Sequence, residues 1–207
     1  VVCGSGQVSL ILNTGIRSFA GFQLRNFSSA TGALNVAVGD FNKDGNLDVV
    51  TLHQTTDNFS LRLGDGNGNL GAAINFAVGD TPQGIEVADF NKDGNADVIV
   101  SSRGTPNDVR VFLGNGTGGF APPTVLSISP VFDIAVADFN QDTNPDFAVV
   151  MGLTVQIWLG DGSGSNFSVG ATITGFGVSA QDVLAADLDA DGDTDIIAAS
   201  GYALNDG

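Results

Sequence analysis

Asp40-Phe41-Asn42-Lys43-Asp44-Gly45-Asn46-Leu47-Asp48 is a nine-residue stretch that occurs four times in this chain. The later copies run from Asp89 to Asp97, from Asp138 to Asp146 and from Asp187 to Asp195, and each begins 49 residues after the previous one. A fixed step of this length is typical of repeat architectures. The fold must therefore be interpreted one repeat at a time.

Each copy predicts a loop that binds a cation. Oxygen-bearing side chains occupy positions 1, 3, 5 and 9, position 6 is usually glycine, and position 7 can offer its backbone carbonyl. Ca²⁺ takes six to eight such oxygen ligands at about 2.3–2.6 Å, and glycine supplies the positive φ that a tight loop needs. We predict up to four Ca²⁺ sites. Their expected ligands are Asp40, Asn42, Asp44, Asn46, Asp48, Asp89, Asn91, Asp93, Asn95, Asp97, Asp138, Asn140, Asp142, Asn144, Asp146, Asp187, Asp189, Asp191, Asp193 and Asp195.

The residues around the loops predict strands. An EF-hand would need flanking helices and a Glu at position 12, but position 12 holds Thr51, Val100, Val149 and Ala198. Stretches such as Val36-Ala37-Val38 favour β-structure. We therefore expect each cation on a strand-to-strand hairpin. A single loop of this kind can also be a solvated Asx-rich turn, but four copies in register favour metal sites.

The loop at 138–146 is expected to be the weakest of the four sites. Thr143 stands where the other copies have glycine, and Pro145 restricts Asn144 to an extended conformation. We expect this site to bind its cation loosely or not at all.

The charge excludes several classes of partner. The chain has 207 residues, of which 23 are acidic and 7 basic, giving a formal charge of −16. This charge disfavours nucleic acid and anionic membranes. Thirteen aspartates occupy side-chain ligand positions of the loops, and four bound Ca²⁺ would change −16 to −8. No apolar run approaches the roughly 20 residues of a membrane helix, so we expect no membrane insertion.

Catalysis is not expected. The only histidine, His53, falls in a polar link between strands and is interpreted as a surface residue. Nearly all carboxylates are assigned to cations, which leaves little material for acid–base or nucleophilic chemistry. The single Cys3 allows no internal disulfide. The chain neither begins with Met nor carries a signal peptide, so we expect a mature or excised segment, and rigid hairpin sites suit the calcium concentrations outside the cell.

The pattern of short strands and turns predicts an all-β propeller of four-stranded blades. Strands such as Phe59 to Leu63 are followed by glycine-dense hairpins such as Gly64-Asp65-Gly66-Asn67-Gly68. One domain is expected over residues 1–207, with a half-blade at 1–30, repeats starting near 34, 84 and 133, and a half-blade at 180–207. We expect the N-terminal strands to complete the last blade, within the chain or with a neighbouring chain, because such closure hides sheet edges.

These motifs resemble the FG-GAP (VCBS) repeats, which form the blades of integrin α-subunit propellers and of many bacterial surface proteins. The resemblance rests on the Asp-Phe-Asn-Lys-Asp-Gly-Asn-x-Asp-Val stretch followed by Leu-Gly-Asp/Asn-Gly-x-Gly, and it covers essentially the whole chain. It implies that the four loops join the first two strands of each blade and bind Ca²⁺. Family propellers usually have seven blades, whereas this chain has four repeats.

Three functions are considered. The first is an extracellular, calcium-stabilised binding or adhesion module that presents a loop face to a protein or glycan ligand. The second is a structural subunit of an extracellular filament or surface assembly, which self-associates by half-blade pairing. The third is a lectin, because Arg62, Phe112 and Trp158 share one aligned strand position. For Phe112 and Trp158, packing between blades is the favoured interpretation, and sugar stacking is the alternative.

Overall fold

The computed structural model describes residues 2–4, 7–13, 22–28, 32–175 and 180–199. Within these ranges the chain forms seventeen β-strands and no helix. The side chain of Cys3 and parts of both predicted half-blades lie outside the described residues. The strands are β1 (Val2–Gly4), β2 (Gln7–Asn13), β3 (Phe22–Ser28), β4 (Ala33–Gly39), β5 (Asp48–His53), β6 (Asn58–Arg62), β7 (Ile74–Ala77), β8 (Pro82–Ala88), β9 (Asp97–Ser102), β10 (Asp108–Phe112), β11 (Thr124–Leu126), β12 (Ile134–Ala137), β13 (Asp146–Val150), β14 (Val155–Gly160), β15 (Phe167–Ile173), β16 (Asp182–Ala186) and β17 (Asp195–Ala199).

The described strands form five antiparallel sheets. Three of them have four strands in sequence order, β4 to β7, β8 to β11 and β12 to β15, and each is one blade. The first strands of consecutive blades lie side by side, β4 beside β8, β8 beside β12, and β12 beside β16. The prediction of an all-β propeller architecture built from four-stranded blades is confirmed.

Among the described residues, the N-terminal strands do not complete the last blade as expected. Strands β1, β2 and β3 form a sheet of their own, and β16 and β17 form a separate two-stranded sheet. The reason is the unpredicted strand β1, in which Cys3 pairs with Val8 of β2. Only two residues separate β1 from β2, so this pairing closes a very short loop and has a small entropic cost. With β1 on one edge of β2 and β3 on the other, β2 has no free edge left to pair with a C-terminal strand.

The core lies between neighbouring blades rather than at one centre. The second strand of each complete blade is buried along its whole length, because it has hydrogen-bonded strands on both edges and a packed blade on its faces. Phe59 of the first blade meets Phe112 and Phe120 of the second edge to face, with ring centroids 5.3 and 5.4 Å apart. Such pairs are favourable beyond the area they bury, and they fix the first blade against the second.

The expectation that His53 lies at the surface is wrong. His53 is the last residue of β5, its side chain is 0% exposed, and its Nε2 lies 2.8 Å from Ser60 Oγ of β6. The polar residues around it suggested a link, but the ladder between β5 and β6 extends as far as the His53–Asn58 pair. The burial therefore follows from strand pairing that hydropathy alone does not reveal.

The two aromatic residues considered for sugar stacking are involved in packing. Phe112 is buried, and Trp158 is half-buried and stacks on Phe147 with centroids 6.0 Å apart. The Trp158 indole Nε1 donates a hydrogen bond of 3.0 Å to Gln156 Oε1. The packing interpretation agrees with these contacts.

Candidate metal centres

Each acidic loop joins the first strand of its blade to the second, as predicted. Loop 1 (residues 40–48) connects β4 to β5, loop 2 (89–97) connects β8 to β9, loop 3 (138–146) connects β12 to β13, and loop 4 (187–195) connects β16 to β17. The position 1 aspartate follows the first strand directly, and the position 9 aspartate opens the second strand. The antiparallel ladder therefore brings both ends of each loop together.

In loop 1 the side-chain oxygens turn inward and accept hydrogen bonds from the loop's own backbone. Asp40 Oδ1 accepts from Asp44 N at 3.2 Å, and Asp40 Oδ2 accepts from Gly45 N at 2.9 Å. Asn42 Oδ1 also accepts from Asp44 N, at 3.1 Å, and Asp44 Oδ1 accepts from Asn46 N at 2.8 Å. These bonds bend the chain into a compact turn that collects oxygen atoms.

The same bonds recur in the other loops. In loop 2, Asp89 accepts from the backbone of Asp93 and Gly94 at 3.1 and 2.8 Å. In loop 3, Asp138 Oδ2 accepts from Thr143 N at 2.7 Å. Loop 4 differs slightly, since Asp187 Oδ1 accepts from Ala190 N at 2.8 Å. Four different sequences thus adopt closely related turns.

Two left-handed residues shape every loop. Position 6 has φ values of +83° at Gly45, +80° at Gly94, +69° at Thr143 and +93° at Gly192. Position 4 is also left-handed, at Lys43, Lys92, Gln141 and Ala190, with φ between 56° and 62°. The position 6 conformation was expected from glycine. The position 4 conformation was not, because Lys, Gln and Ala carry no signal for it.

Loop 3 keeps the loop backbone despite its Thr143. A β-branched residue with positive φ is unusual and strained. The hydrogen bonds of the loop hold it there, because Asp138 Oδ2 accepts from Thr143 N as it would from a glycine N–H. The substitution therefore leaves the loop shape intact and adds strain to it. That loop 3 binds its cation most weakly stays a prediction.

In loops 1 to 3 the position 9 carboxylate joins the loop to the glycine-dense hairpin of the same blade. Asp48 is fully buried, and its Oδ2 accepts from Phe41 N at 2.9 Å while Oδ1 accepts from Gly64 N at 2.8 Å. Asp97 and Asp146 make the equivalent pairs of bonds. The glycine donors were missed by sequence reasoning, although Leu-Gly stands at the same place in each repeat. In the described blades this aspartate is a structural link as well as a candidate ligand.

The donor set of the loops fits a hard cation. Asp187, Asp189 and Asp195 of loop 4 each offer one carboxylate oxygen, and these atoms all lie within 4.8 Å of one another. Loops 1 to 3 carry asparagine at position 3, and its amide donates to the position 5 carboxylate at 2.9–3.0 Å. Carboxylate and amide oxygens are ligands that Ca²⁺ prefers. Positions 1, 3, 5 and 9 would hold the ion, with position 7 adding its carbonyl.

The repeat family follows from these loops and from the sequence. The family model described as FG-GAP-like repeat matches residues 1–51, 48–100, 93–149 and 138–198. The chain belongs to the FG-GAP-like repeat family. No match was found among curated protein sequences. The described FG-GAP-like repeats contain no helix with the length and apolarity that crossing a membrane requires.

Two solved structures resemble the FG-GAP-like array. A lectin from Agrocybe aegerita, studied for its specific recognition of non-reducing terminal N-acetylglucosamine, is 18% identical with a TM-score of 0.63. The alignment covers 94% of this chain and 60% of the lectin, so the chain spans about 60% of that protein's length. The V. cholerae biofilm matrix protein Bap1 is 14% identical with a TM-score of 0.41, and 87% of this chain aligns with 41% of Bap1. The lectin likeness supports the fold.

Burial and hydrogen bonding shift the acidities of the FG-GAP-like loops in opposite directions. Burial, reinforced by the nearby Asp93 and Asp89 carboxylates, raises the pKa of Asp97 to about 6, although hydrogen bonds from Gly114 and Phe90 oppose this rise. The pKa of Asp44 is lowered, first by the Asn42 side chain and then by the Asn46 backbone. The Asp44 carboxyl at position 5 of loop 1 is therefore readily ionised, whereas Asp97 at position 9 of loop 2 resists ionisation.

Side chains at position 4 extend from one FG-GAP-like loop to the next. Gln141 Nε2 of loop 3 donates a hydrogen bond to Asp193 Oδ1 of loop 4. The Phe41 carbonyl of loop 1 accepts a hydrogen bond of 2.9 Å from Gly118 N, which belongs to the glycine-dense hairpin of the second blade. Consecutive loops therefore lie next to one another and form one continuous acidic face.

Proposed function

We propose that the protein is a calcium-stabilised, non-catalytic binding module that works outside the cell. The observation that carries this proposal is the fourfold recurrence of one inward-turned, oxygen-rich loop with the same pattern of backbone hydrogen bonds. Without a cation, the carboxylates of each loop repel one another. A bound Ca²⁺ removes this repulsion and would stabilise the fold by about 2.7 kcal/mol per site at a hundredfold excess over Kd.

In this function the calcium ions hold the hairpins and the loop face contacts the partner. The loops of successive blades adjoin one another, so a protein or glycan ligand would meet a continuous surface rather than isolated loops. Sites of this rigid kind suit the high calcium concentration outside cells. The low sequence identity to the Agrocybe lectin means that its sugar specificity is not transferred to this chain.

A non-catalytic role agrees with where the reactive side chains lie. His53 is the chain's only histidine, and it is fully buried in β5 beside Ser60. Most aspartates belong to the acidic loops or cap backbone N–H groups. The loop carboxylates accept hydrogen bonds within their own turns, so they are not free for acid–base or nucleophilic chemistry.

The test is thermal unfolding in 2 mM Ca²⁺, in 2 mM Mg²⁺ and in EGTA. We expect the melting temperature to rise by several degrees with Ca²⁺ and much less with Mg²⁺, which demands a stricter octahedral geometry. The quadruple variant Asp44→Asn, Asp93→Asn, Asp142→Asn and Asp191→Asn is the matched control and should lose the calcium effect. Identical melting with Ca²⁺ and EGTA in the natural chain would overturn the proposal.

A second candidate is a structural subunit that assembles through its half-blades. On the two-stranded sheet, Leu184 and Ile197 are cross-strand partners and are 60% and 39% exposed. On the N-terminal sheet, Ile11 and Leu24 are also partners and are 49% and 63% exposed. Covering these faces in another copy would bury apolar surface. Light scattering at increasing protein concentration tests this candidate. If the particle mass grows with concentration, and the double variant Leu184→Asp with Leu24→Asp prevents that growth, the structural subunit becomes the favoured function.

A further inference from the structure

A cavity of about 520 Å³ opens at the ends of the first strands opposite to the calcium loops. Its polar lining comes from all four repeats, and its walls also include the Phe132 side chain. The residues used below are Asn35 of β4, Gln83 of β8, Phe132 and Asp133 before β12, and Gln181 and Asp182 at the start of β16.

The cavity lies on the axis of the blade array. Residues 35, 84, 133 and 182 follow the 49-residue repeat step, as do residues 34, 83, 132 and 181. They therefore occupy equivalent places in the four blades. Asn35 of the first repeat and Asp182 of the fourth line the same cavity, although β4 and β16 belong to the two ends of the series. The first strands thus curve around a common space.

Asp133 is held in a defined position at the wall of this cavity. Its Oδ2 accepts a hydrogen bond of 3.1 Å from Val183 N of the next repeat. Its Oδ1 lies against Gly84, where a Cβ atom would come within 2.5 Å of that oxygen. The equivalent position is therefore glycine in the second repeat because the carboxylate of the third repeat occupies the space.

Asp133 and Asp182 form a carboxyl pair between the third and fourth repeats. Burial, followed by the hydrogen bond to Asp182, raises the pKa of Asp133 to about 7. The raised pKa favours the protonated form of the Asp133 carboxyl, which offers one O–H donor besides its acceptor oxygens. Arg103 stands close by, with its guanidinium carbon 4.2 Å from the centre of the Phe132 ring.

The lining decides which kind of ligand fits. Among the described residues neither Lys nor Arg lines the cavity, and its Asp133 and Asp182 carboxyls disfavour an anion. A single metal ion needs far less space, since a water molecule fills about 30 Å³ of liquid. Cavities of about 300–1,000 Å³ are typical of small organic ligands. Carboxyl and amide groups at fixed places suit a ligand with many hydroxyl groups, and the Phe132 and Leu34 side chains suit its C–H faces.

We propose that this axial cavity binds a neutral monosaccharide or disaccharide through Asp133, Asp182 and the amides of Asn35, Gln83 and Gln181. The ligand hydroxyls donate to the carboxyl oxygens and accept from the amide N–H groups. This site is separate from the loop face and from Trp158, whose indole packs on Phe147. It rests on the proposed role as a binding module and adds a carbohydrate site to the loop face proposed above.

The test is ligand-observed NMR followed by calorimetry, in saturating Ca²⁺. The probes are glucose, galactose, mannose, N-acetylglucosamine, cellobiose and chitobiose, with the cationic glucosamine and Mg²⁺ as further arms. We expect at least one neutral sugar to bind. Asp182→Ala and Gln83→Ala should each weaken that sugar about tenfold, and both side chains are at least partly exposed, so the fold should tolerate their loss.

Two controls make the outcome decisive. Trp158→Phe removes the indole N–H outside the cavity and should leave sugar affinity unchanged. Asn35→Ala, on the opposite wall, is a second cavity variant if Asp182→Ala does not fold. The proposal is overturned if no neutral sugar binds, if only glucosamine or Mg²⁺ binds, or if the cavity variants retain full affinity. Calcium-dependent melting of the same samples tests the binding-module proposal separately.

Discussion

Lys92 Nζ of loop 2 donates a hydrogen bond of 2.8 Å to Thr143 Oγ1 of loop 3. Lys43 and Lys92 are the only lysines of the chain, and both stand at position 4 of an acidic loop. The pKa of Asp142 is lowered by hydrogen bonds from Asn144 and Asn140 and also by the charge of Lys92. Each lysine therefore places a positive charge beside the acidic loop of the following blade.

The first prediction concerns Lys92 as a substitute for a cation. Lys92→Met keeps the length of the side chain and removes its charge, so carboxylate repulsion in loop 3 is no longer offset when calcium is absent. We expect the melting temperature to fall by a few degrees in EGTA and by less in 2 mM Ca²⁺. Differential scanning fluorimetry under both conditions measures the change.

Lys43→Met is the matched variant. Burial opposes a low pKa for Asp93, but hydrogen bonds from Asn95 and Asn91 and the charge of Lys43 together lower it. The variant should show the same pattern through loop 2. Both effects should shrink at 1 M salt, where the Debye length is about 3 Å. Equal losses with and without calcium would contradict the counter-ion role.

The second prediction separates ligand aspartates from turn aspartates. Asp65 lies in the glycine-dense hairpin, where its carboxylate accepts hydrogen bonds from Asn67 N at 2.8 Å, Asn69 N at 3.0 Å and Asn69 Nδ2 at 2.6 Å. Asp65→Ala should therefore lower the melting temperature equally in Ca²⁺ and EGTA. Asp93→Ala should instead reduce the difference in melting temperature between Ca²⁺ and EGTA, by about the contribution of one of the four sites. A calcium-dependent loss in Asp65→Ala would mean that the hairpin also binds the ion.

The third prediction concerns the buried link at position 9. Asp97→Ala leaves the N–H groups of Phe90 and Gly114 without their acceptor, and each buried unsatisfied group costs about 1–3 kcal/mol. We expect the free energy of unfolding to fall by about 2–5 kcal/mol in urea titrations, with or without calcium. Asp89→Ala, at the half-buried start of the same loop, should lower the free energy of unfolding much less in EGTA. A loss confined to calcium-loaded protein would show that Asp97 acts as a ligand alone.

The fourth prediction concerns backbone strain in loop 3. The left-handed conformation costs an ordinary residue about 1–2 kcal/mol, whereas the freedom of glycine in the unfolded chain offsets about 0.4–1 kcal/mol. Thr143→Gly should therefore raise the free energy of unfolding slightly and tighten calcium binding at loop 3. Gly45→Ala is the reverse test, because its φ is +83° and nothing lies within 4 Å of a new Cβ. A stable Gly45→Ala protein would argue against strain as the cause.

The fifth prediction concerns pH. The pKa of Asp133 in the folded chain is about 7, above the ordinary value of 3.8 for an aspartate, so the folded chain binds more protons than the unfolded chain between these values. Its contribution to stability is therefore present below about pH 4 and is lost as the pH rises towards 7. The charged neighbours are Asp182 and, beside Phe132, Arg103. Asp182→Asn should make the free energy of unfolding depend less on pH between about 4 and 7. The measurement compares the free energy of unfolding of the variant and the natural chain at each pH, with saturating calcium. An unchanged profile would contradict the pairing of the two carboxyls.

The sequence predicted the features that repeat along the chain. The step between the acidic loops, the hairpin position of each loop and the four-stranded blade all follow from patterns visible in Asp40–Asp48 and its copies. Features that depend on contacts between distant segments were missed. The extra strand at Val2–Gly4 competes for the edge of β2, and the ladder from Asp48 to His53 buries a residue that looked exposed. Neither has a local signal.

Some features of the axial cavity could have been predicted from the sequence but were not. Asn35, Gly84, Asp133 and Asp182 share the repeat step, so their equivalence was visible, but a cavity between them needs the curvature of the array. The left-handed conformation at position 4 had no signal in Lys43 or Ala190, because it is imposed by the hydrogen bonds of the loop. Sequence patterns therefore predicted the turns better than their contacts.

The contact between Gln141 and Asp193 gives the array a direction. Each position 4 side chain reaches forward to the loop of the following repeat, from loop 1 to 2, from 2 to 3 and from 3 to 4, and ends at Ala190, which is too short to continue. A contact stabilises both of its partners equally, so loss of order in one loop would remove support from the loops on either side of it. Loops 1 and 4 each have only one such neighbour among the described repeats, so the array would lose order from its ends before its middle.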